Sequence, residues 1–333
     1  MSPRGGRAVW IIALLPVALF IGALLVGRFG IDVAGTFRAL AGLDGVSDVF
    51  RALVLRVRLP RAVAALCIGA NLAASGAAFQ GLFRNPLVDS RILGISSGAA
   101  LGAAVALLLS GGLLAVQASA FAFALVAIGL VCLIGLRFGS STLVLVIGGI
   151  LVGALFNALL GLVKYVADPL STLPAITYWL LGGLHNARWS AIIPLIILSA
   201  LGLLFFYAIR WRLNVLTLSD GEAAALGIPV RGLRLSVILV GTVLIAASVA
   251  VGGMIGWIGL IVPHVARAWV GPDHGRLMPA AAALGAATLL GLDTVARTVM
   301  ETEIPLGILT GLIGVPVFLL ILLRHLRMRG EAA

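Results

Sequence analysis

The amino-acid sequence predicts an all-α polytopic membrane protein with about ten transmembrane helices. Three observations carry the prediction. Of 333 residues, 62% are hydrophobic and only 11% charged, against about 25% charged in a soluble domain. The apolar residues are gathered into runs near 20 residues long, the length that crosses a bilayer as a helix. The chain also holds 42 glycines, and small residues let helices approach closely in lipid, where packing drives association. A single interior at this length cannot absorb so much apolar sequence.

The runs fall near residues 9–27, 61–80, 92–110, 113–136, 142–166, 190–209, 235–253, 256–270, 277–297 and 304–323. The first, Trp10 to Val26, follows Arg4 and Arg7. No small-residue cleavage site ends it convincingly, so it reads as a retained helix rather than a signal peptide. The second and eighth read as interrupted or short. The longest polar stretches are 28–61, 167–189 and 210–234, too short for a separate soluble domain, so 1–333 reads as one transmembrane domain.

Charge sets the expected orientation. Ten spans put both termini on one side, together with Arg137, Arg210, Arg212, Arg231, Arg234, Arg276 and the arginines of 324–329. The positive-inside rule makes that side the cytoplasm. The net charge of +11 therefore belongs to loops flanking a membrane, not to a nucleic-acid surface. One stretch breaks the rule: 28–61 lies on the opposite side and carries Arg28, Arg38, Arg51, Arg56, Arg58 and Arg61. Such arginines either meet an acidic partner or anchor a helix end among headgroups.

Two further segments stand out. Between the second and third runs, Arg84-Asn85-Pro86-Leu87-Val88-Asp89-Ser90-Arg91 interrupts apolar sequence. Pro86 disfavours helical geometry at Asn85, so the chain breaks there, in a cytoplasmic turn or beside a water-filled pathway. In 213–230, Ser219 or Asp220 can cap a short helix that Gly227 and Pro229 end. Such a helix is too short to span; it either suits docking into another protein's groove or lies as a surface helix on its own bundle. Cys67 and Cys132 sit inside apolar runs and read as small hydrophobes, with no metal-ligand spacing.

Together these blocks resemble the permeases of the iron-siderophore, haem and cobalamin class of ABC importers (FecCD-type). The resemblance rests on Arg58-Leu59-Pro60-Arg61 with Gly69-Ala70-Asn71; on Arg84-Asn85-Pro86-Leu87 with Leu93-Gly94-Ile95-Ser96; on Leu226-Gly227; and on Gly259-Leu260-Ile261-Val262-Pro263-His264. It continues through Asp293-Thr294-Val295-Ala296-Arg297, Glu303-Ile304-Pro305-Leu306-Gly307 and Gly314-Val315-Pro316. The match runs in order from about residue 50 to 323. It departs at Ser90, where the family usually has Pro, and at Trp257-Ile258, where it usually has Phe-Val.

The resemblance implies a type II importer permease fold with ten helices per chain, working as a pair with the pathway on the dimer axis. It implies two ATP-binding subunits on the cytoplasmic side, and a periplasmic or lipid-anchored binding protein outside. The chain would sit in a bacterial inner membrane with both termini cytoplasmic. Arg58, Arg61 and Arg297 would dock glutamates of the binding protein. Ser219, Asp220, Glu222, Leu226 and Gly227 would belong to the helix that couples to the ATPase. Ser140, Ser141 and Thr142 resemble the cytoplasmic gate, with simple helix capping as the plain alternative. Asn85, Pro86, Pro263, His264 and Pro305 read as structural motif residues.

Asn157 and Lys164, seven residues apart on the fifth run, share a helix face. The family lines its pathway with this helix. Lys164 could attract an anionic ligand, or snorkel to the interface near Asp168. No Walker-type phosphate loop is present, so the chain is expected to be no enzyme, with ATP and Mg²⁺ held by the partner subunit. No metal site and no covalently bound cofactor are expected in the chain. An ion-coupled transporter would want carboxylates inside the spans, and only Asp293 is a candidate. An intramembrane enzyme would need a nucleophile, base or metal cluster, and none is apparent. The cargo implied is a metal chelate, a ferric siderophore or haem ahead of cobalamin.

Overall fold

The computed structural model describes residues 3–27, 32–89, 92–139 and 141–330, without the side chains of 3–10, 322 and 324–330. Arg28, Ser90, Arg91, Ser140 and the side chains of Arg4, Arg7 and the 324–329 run therefore lie outside the described residues. In chain order the helices are α1 (Pro3–Leu25), α2 (Val33–Ala41), α3 (Asp48–Ala52), a π-helical turn (Leu53–Arg58), α4 (Leu59–Leu82), α5 (Ile95–Leu108), α6 (Leu113–Phe138) and α7 (Thr142–Val166). There follow α8 (Thr172–Leu181), α9 (Trp189–Ala208), α10 (Arg210–Leu216), α11 (Asp220–Ala225), α12 (Val230–Gly252), α13 (Ile258–Val270), α14 (His274–Ala296) and α15 (Leu306–Gly330).

Ten of these match the ten predicted spans: α1, α4, α5, α6, α7, α9, α12, α13, α14 and α15. The second span proves continuous, with 24 residues in α4. The short ones are the third, α5 with 14 residues, and the eighth, α13 with 13. The stretch 167–189, read as polar, contains the apolar α8, and 28–61 contains α2, α3 and the π-turn.

Helix α4 is the hub. Every residue from Ile68 to Leu82 is buried, which explains its Ala, Gly and Ser content. An added Cβ at Gly69 would collide with the carbonyl of Gly285 on α14, and one at Gly76 with the carbonyl of Gly259 on α13. Backbone-to-backbone contact of this kind is how membrane helices gain dispersion energy without a hydrophobic driving force. Asn71 of α4 adds polar glue, donating to Ser199 Oγ on α9 at 2.8 Å and Ser248 Oγ on α12 at 3.2 Å.

The lateral faces of α6, α7, α9 and α15 are apolar and exposed, as at Leu133, Leu151, Leu201 and Leu312. A helix surface of that kind belongs in hydrocarbon. The two short helices begin irregularly inside the bundle. α5 starts after Gly94 (φ 73°) against Gly149 and Gly153 of α7, and α13 starts after Trp257 (φ 69°). Gly259 meets α4 at Gly76, six residues before its end, or about 9 Å along the axis. Leu93 and Gly94 before α5, and Gly253 and Ile255 before α13, are buried, so these non-helical residues are enclosed by protein, as membrane depth requires.

Candidate functional site

The chemistry-bearing side chains gather at the two ends of the bundle. At the first end, α4 begins and α14 finishes. Arg61 lies between two carboxylates. Its Nε donates to Asp293 Oδ1 at 2.9 Å, and its Nη1 donates to Glu303 Oε1 and Oε2 at 2.9 Å. Arg297, one turn after Asp293, pairs with it at 3.7 Å and donates to the carbonyl of Ala23. Arg58 donates to the carbonyl of Leu24 at 2.9 Å. The orphan carbonyls at the C-terminal end of α1 are thus satisfied by guanidinium groups from two other helices.

All three arginines predicted to dock a partner are buried: Arg58 is 4% exposed, Arg61 8% and Arg297 9%. Through these bonds they knit α1, α4 and α14 together. A guanidinium is cheaper to place here with a carboxylate than in water-free isolation. Glu303, with a side chain 31% exposed, covers Arg61 on the solvent side. His185 lies close enough to feel Glu303 and Arg61, and its ring meets that of Tyr178 at 4.9 Å. Burial pushes its imidazole below the usual range.

At the other end, α11 stands out as a short capped helix, as the sequence suggested. Ser219 Oγ accepts from Glu222 N at 3.3 Å, and the Glu222 carboxylate accepts from Ser219 N at 2.8 Å. This reciprocal pair is a capping box. It holds the Glu222 carboxyl below its ordinary range, chiefly through the Ser219 hydroxyl. Gly227 (φ 74°) closes the helix. Only Ala223 is buried, and Leu226 is 57% exposed, so α11 offers an open face.

Asp220 ties this helix to the bundle. Arg234 of α12 donates to both its oxygens at 3.0 Å, and Arg84 donates to Oδ1 at 2.6 Å. These bonds, Arg234's first and then Arg84's, hold its carboxyl below the usual carboxylate range. Arg84 is the residue before Asn85-Pro86, where α4 ends. The Asn85 side chain accepts from Leu87 N at 2.9 Å and turns the chain. A cleft of about 550 Å³ opens beside it, lined by Arg84, Asn85, Pro86, Asn214, Asp273 and His274 among others.

The remaining predicted residues take no part in these two ion-pair clusters. Ser141 caps α7, accepting from Val144 N at 3.3 Å, and Thr142 is the first helical residue. Asn157 is exposed on α7 and Lys164 half-buried in its last turn, where a cation complements the helix dipole. Asp168 accepts from Ser171. Pro263 lies within α13, the His264 ring meets Phe318 of α15 edge-on at 6.2 Å, and the Pro305 carbonyl starts α15 by accepting from Leu309 N. Sequence reasoning missed Glu303, Arg84 and Arg234 as ion-pair partners. It also missed Asp89, buried at 6% exposure and lining the same small cavity as Ser96.

A bundle of this composition, with half-length helices at depth and a short polar-capped helix outside, defines a multi-pass membrane transport subunit. The chain belongs to the FecCD transport family, which it matches over residues 14–324. It is 38% identical over 315 residues to the molybdate import system permease protein MolB of Haemophilus influenzae, covering 92% of each chain. It is 39% identical over 331 residues to the hemin transport system permease protein HmuU of Yersinia pestis, covering 95% of each. Among solved structures it is similar to an inward-facing ABC transporter of the metal-chelate type. The TM-score is 0.87 at 35% identity, over 96% of this chain and 99% of the other. The fold is that of a type II ABC importer permease, as the sequence resemblance implied.

Proposed function

We propose that this chain is the membrane-spanning subunit of an importer that moves a metal chelate, a ferric siderophore or haem, from periplasm to cytoplasm across the bacterial inner membrane. The observation that carries it is α11: exposed, doubly capped, and bridged through Asp220 to the ends of α4 and α12. A separate ATPase subunit docks there and supplies the energy, with ATP and Mg²⁺ bound on its own side. The α11 end is then cytoplasmic, together with both termini. A second copy of the chain completes the pathway along the open face of α7, with Asn157 and Lys164 on it and Ser141 and Thr142 at its cytoplasmic mouth.

The Arg61 end faces the binding protein. Because Glu303 covers Arg61, an incoming carboxylate reaches that guanidinium only as Glu303 gives way. Arg58 and Arg297 shape the seat from beneath. Similarity to the molybdate permease favours a second reading in which the cargo is an oxyanion, and cobalamin is a further alternative.

The test is uptake into liposomes holding the chain with its ATPase and binding protein, offered ferric siderophore, haemin, cobalamin and molybdate separately. Accumulation of an iron chelate that stops with a hydrolysis-dead ATPase is expected. Uptake that persists without ATP would overturn the importer reading, and ATP-dependent uptake of molybdate alone would overturn the chelate.

A further inference from the structure

We propose that the bundle holds an anionic phospholipid in the leaflet at its α11 end, seated between α9 and α14. A groove of about 330 Å³ opens there, with Ala74 of α4 as its floor and Leu203, Leu204, Met278, Pro279 and Ala282 among its walls. These walls are apolar. Leu204 is four residues from the end of α9, and Met278 four residues from the start of α14, so the groove lies about 6 Å inside the helix ends. That is the depth of acyl carbons just below the headgroups. Tyr207 and Pro279 at its edge are exposed, so a lipid chain can enter sideways.

The rim supplies the charge. Tyr207, a wall residue, is 48% exposed. The Arg210 guanidinium stacks 4.0 Å over its ring and donates to its carbonyl at 2.6 Å. That holds one cation at the mouth. Trp211, 61% exposed, and Arg212, also exposed, follow on α10. Arg276 is exposed on α14, three residues before Pro279 and on the same face. Among the described residues none of these three arginines makes an ion pair within 4.0 Å. Asp273, whose charge Arg276 feels, is bound by the Asn214 amide at 2.6 Å. Aromatic rings at headgroup level and basic residues around a groove between helices are the chemistry that retains an anionic lipid. Planar guanidinium groups suit its phosphate.

The test uses delipidated protein in neutral detergent, titrated with phosphatidylglycerol or phosphatidylcholine of matched chains. Native mass spectrometry counts bound lipid, and the thermal midpoint follows occupancy. One phosphatidylglycerol per chain, held at least about tenfold tighter than phosphatidylcholine, is expected from three surface arginines. R210Q/R212Q/R276Q should reduce that preference to parity, and R212Q/R276Q, whose side chains are exposed, should reduce it while leaving the lipid-free midpoint unchanged. Ala282→Phe, which fills the groove, should weaken both lipids. Equal binding of the two lipids by the wild type would sink the proposal, as would a preference that survives the triple substitution. Stabilisation by glycerol phosphate alone would overturn the part played by the groove.

Discussion

At the scale of single residues, Arg61 governs its end of the bundle. It is held by Asp293 on one side and Glu303 on the other, and the two carboxylates have different duties. Asp293 is 2% exposed and joins α14 to α4. Replacing it with Asn strands part of a buried positive charge, and breaking such a pair costs roughly 3–5 kcal/mol. A marked fall in the thermal midpoint of the purified protein is expected for Asp293→Asn, with a smaller fall for the half-exposed Glu303→Gln. Glu303→Gln should also raise affinity for the loaded binding protein several-fold, since it removes a competitor for Arg61. Arg61→Gln should abolish that gain. If Glu303→Gln weakens binding in a titration at low salt, Glu303 braces the seat instead of covering it. The sequence marked Arg58 and Arg61 as anomalous on charge, and Arg297 entered only through the family resemblance. It did not show which way they face, because Asp293 and Glu303 lie 232 and 242 positions from Arg61. Only the one-turn spacing of Asp293 and Arg297 was there to be read.

At the scale of elements, the spans were legible because a bilayer demands long apolar runs, and ten such runs appear as ten helices. The short helices were less so. The third run seemed long because 92–94 is apolar, yet Gly94 adopts a left-handed conformation and delays α5 to Ile95. α8 hid because Ser171, Thr172, Pro174 and Thr177 dilute its hydropathy. What no run length reveals is how close the helices come. Gly69 and Gly285 meet backbone to backbone, as do Gly76 and Gly259. Gly69→Ala or Gly76→Ala therefore forces α4 away from its neighbours, an overpacking cost of roughly 1–3 kcal/mol. Gly129 of α6 has nothing within 4 Å of an added Cβ. Gly129→Ala should be neutral or stabilising by up to about 1 kcal/mol, as helix propensity dictates. Thermal midpoints of the three variants in one detergent check both statements. Equal losses at all three would mean that propensity, not contact, sets the cost.

At the scale of the whole molecule, the proposed docking of an ATPase at α11 raises the question of how its closure would reach spans that α11 barely touches. Its own burial is slight, with Ala223 alone inside, so packing is a poor lever. The ionic bridge is a better one. Asp220 is gripped by Arg84, just past the end of α4, and by Arg234, which is 5% exposed on α12. A shift of α11 is thereby shared between the hub helix, the Asn85-Pro86 break leading to α5, and α12. Asp220→Asn keeps the shape and the cap at Ser219 but removes the charge. It should leave the ATPase bound and hydrolysing while lowering the cargo moved per ATP several-fold in liposomes. Arg84→Gln should lower it less, because the Arg234 bonds to Asp220 remain, and the double variant should be no worse than Asp220→Asn alone, which already removes both connections. The sign of any pH effect follows from the depressed Asp220 carboxyl. The bridge is complete above the ordinary carboxylate value of about 3.9 and fails only as pH falls through the lowered one. Cargo moved per ATP should therefore be flat between pH 5 and pH 8 for the wild type, each value being on the order of a unit or more above that range. If Asp220→Asn instead releases the ATPase from the membrane, with unchanged stoichiometry in the remainder, the bridge holds the partner and does not transmit its motion.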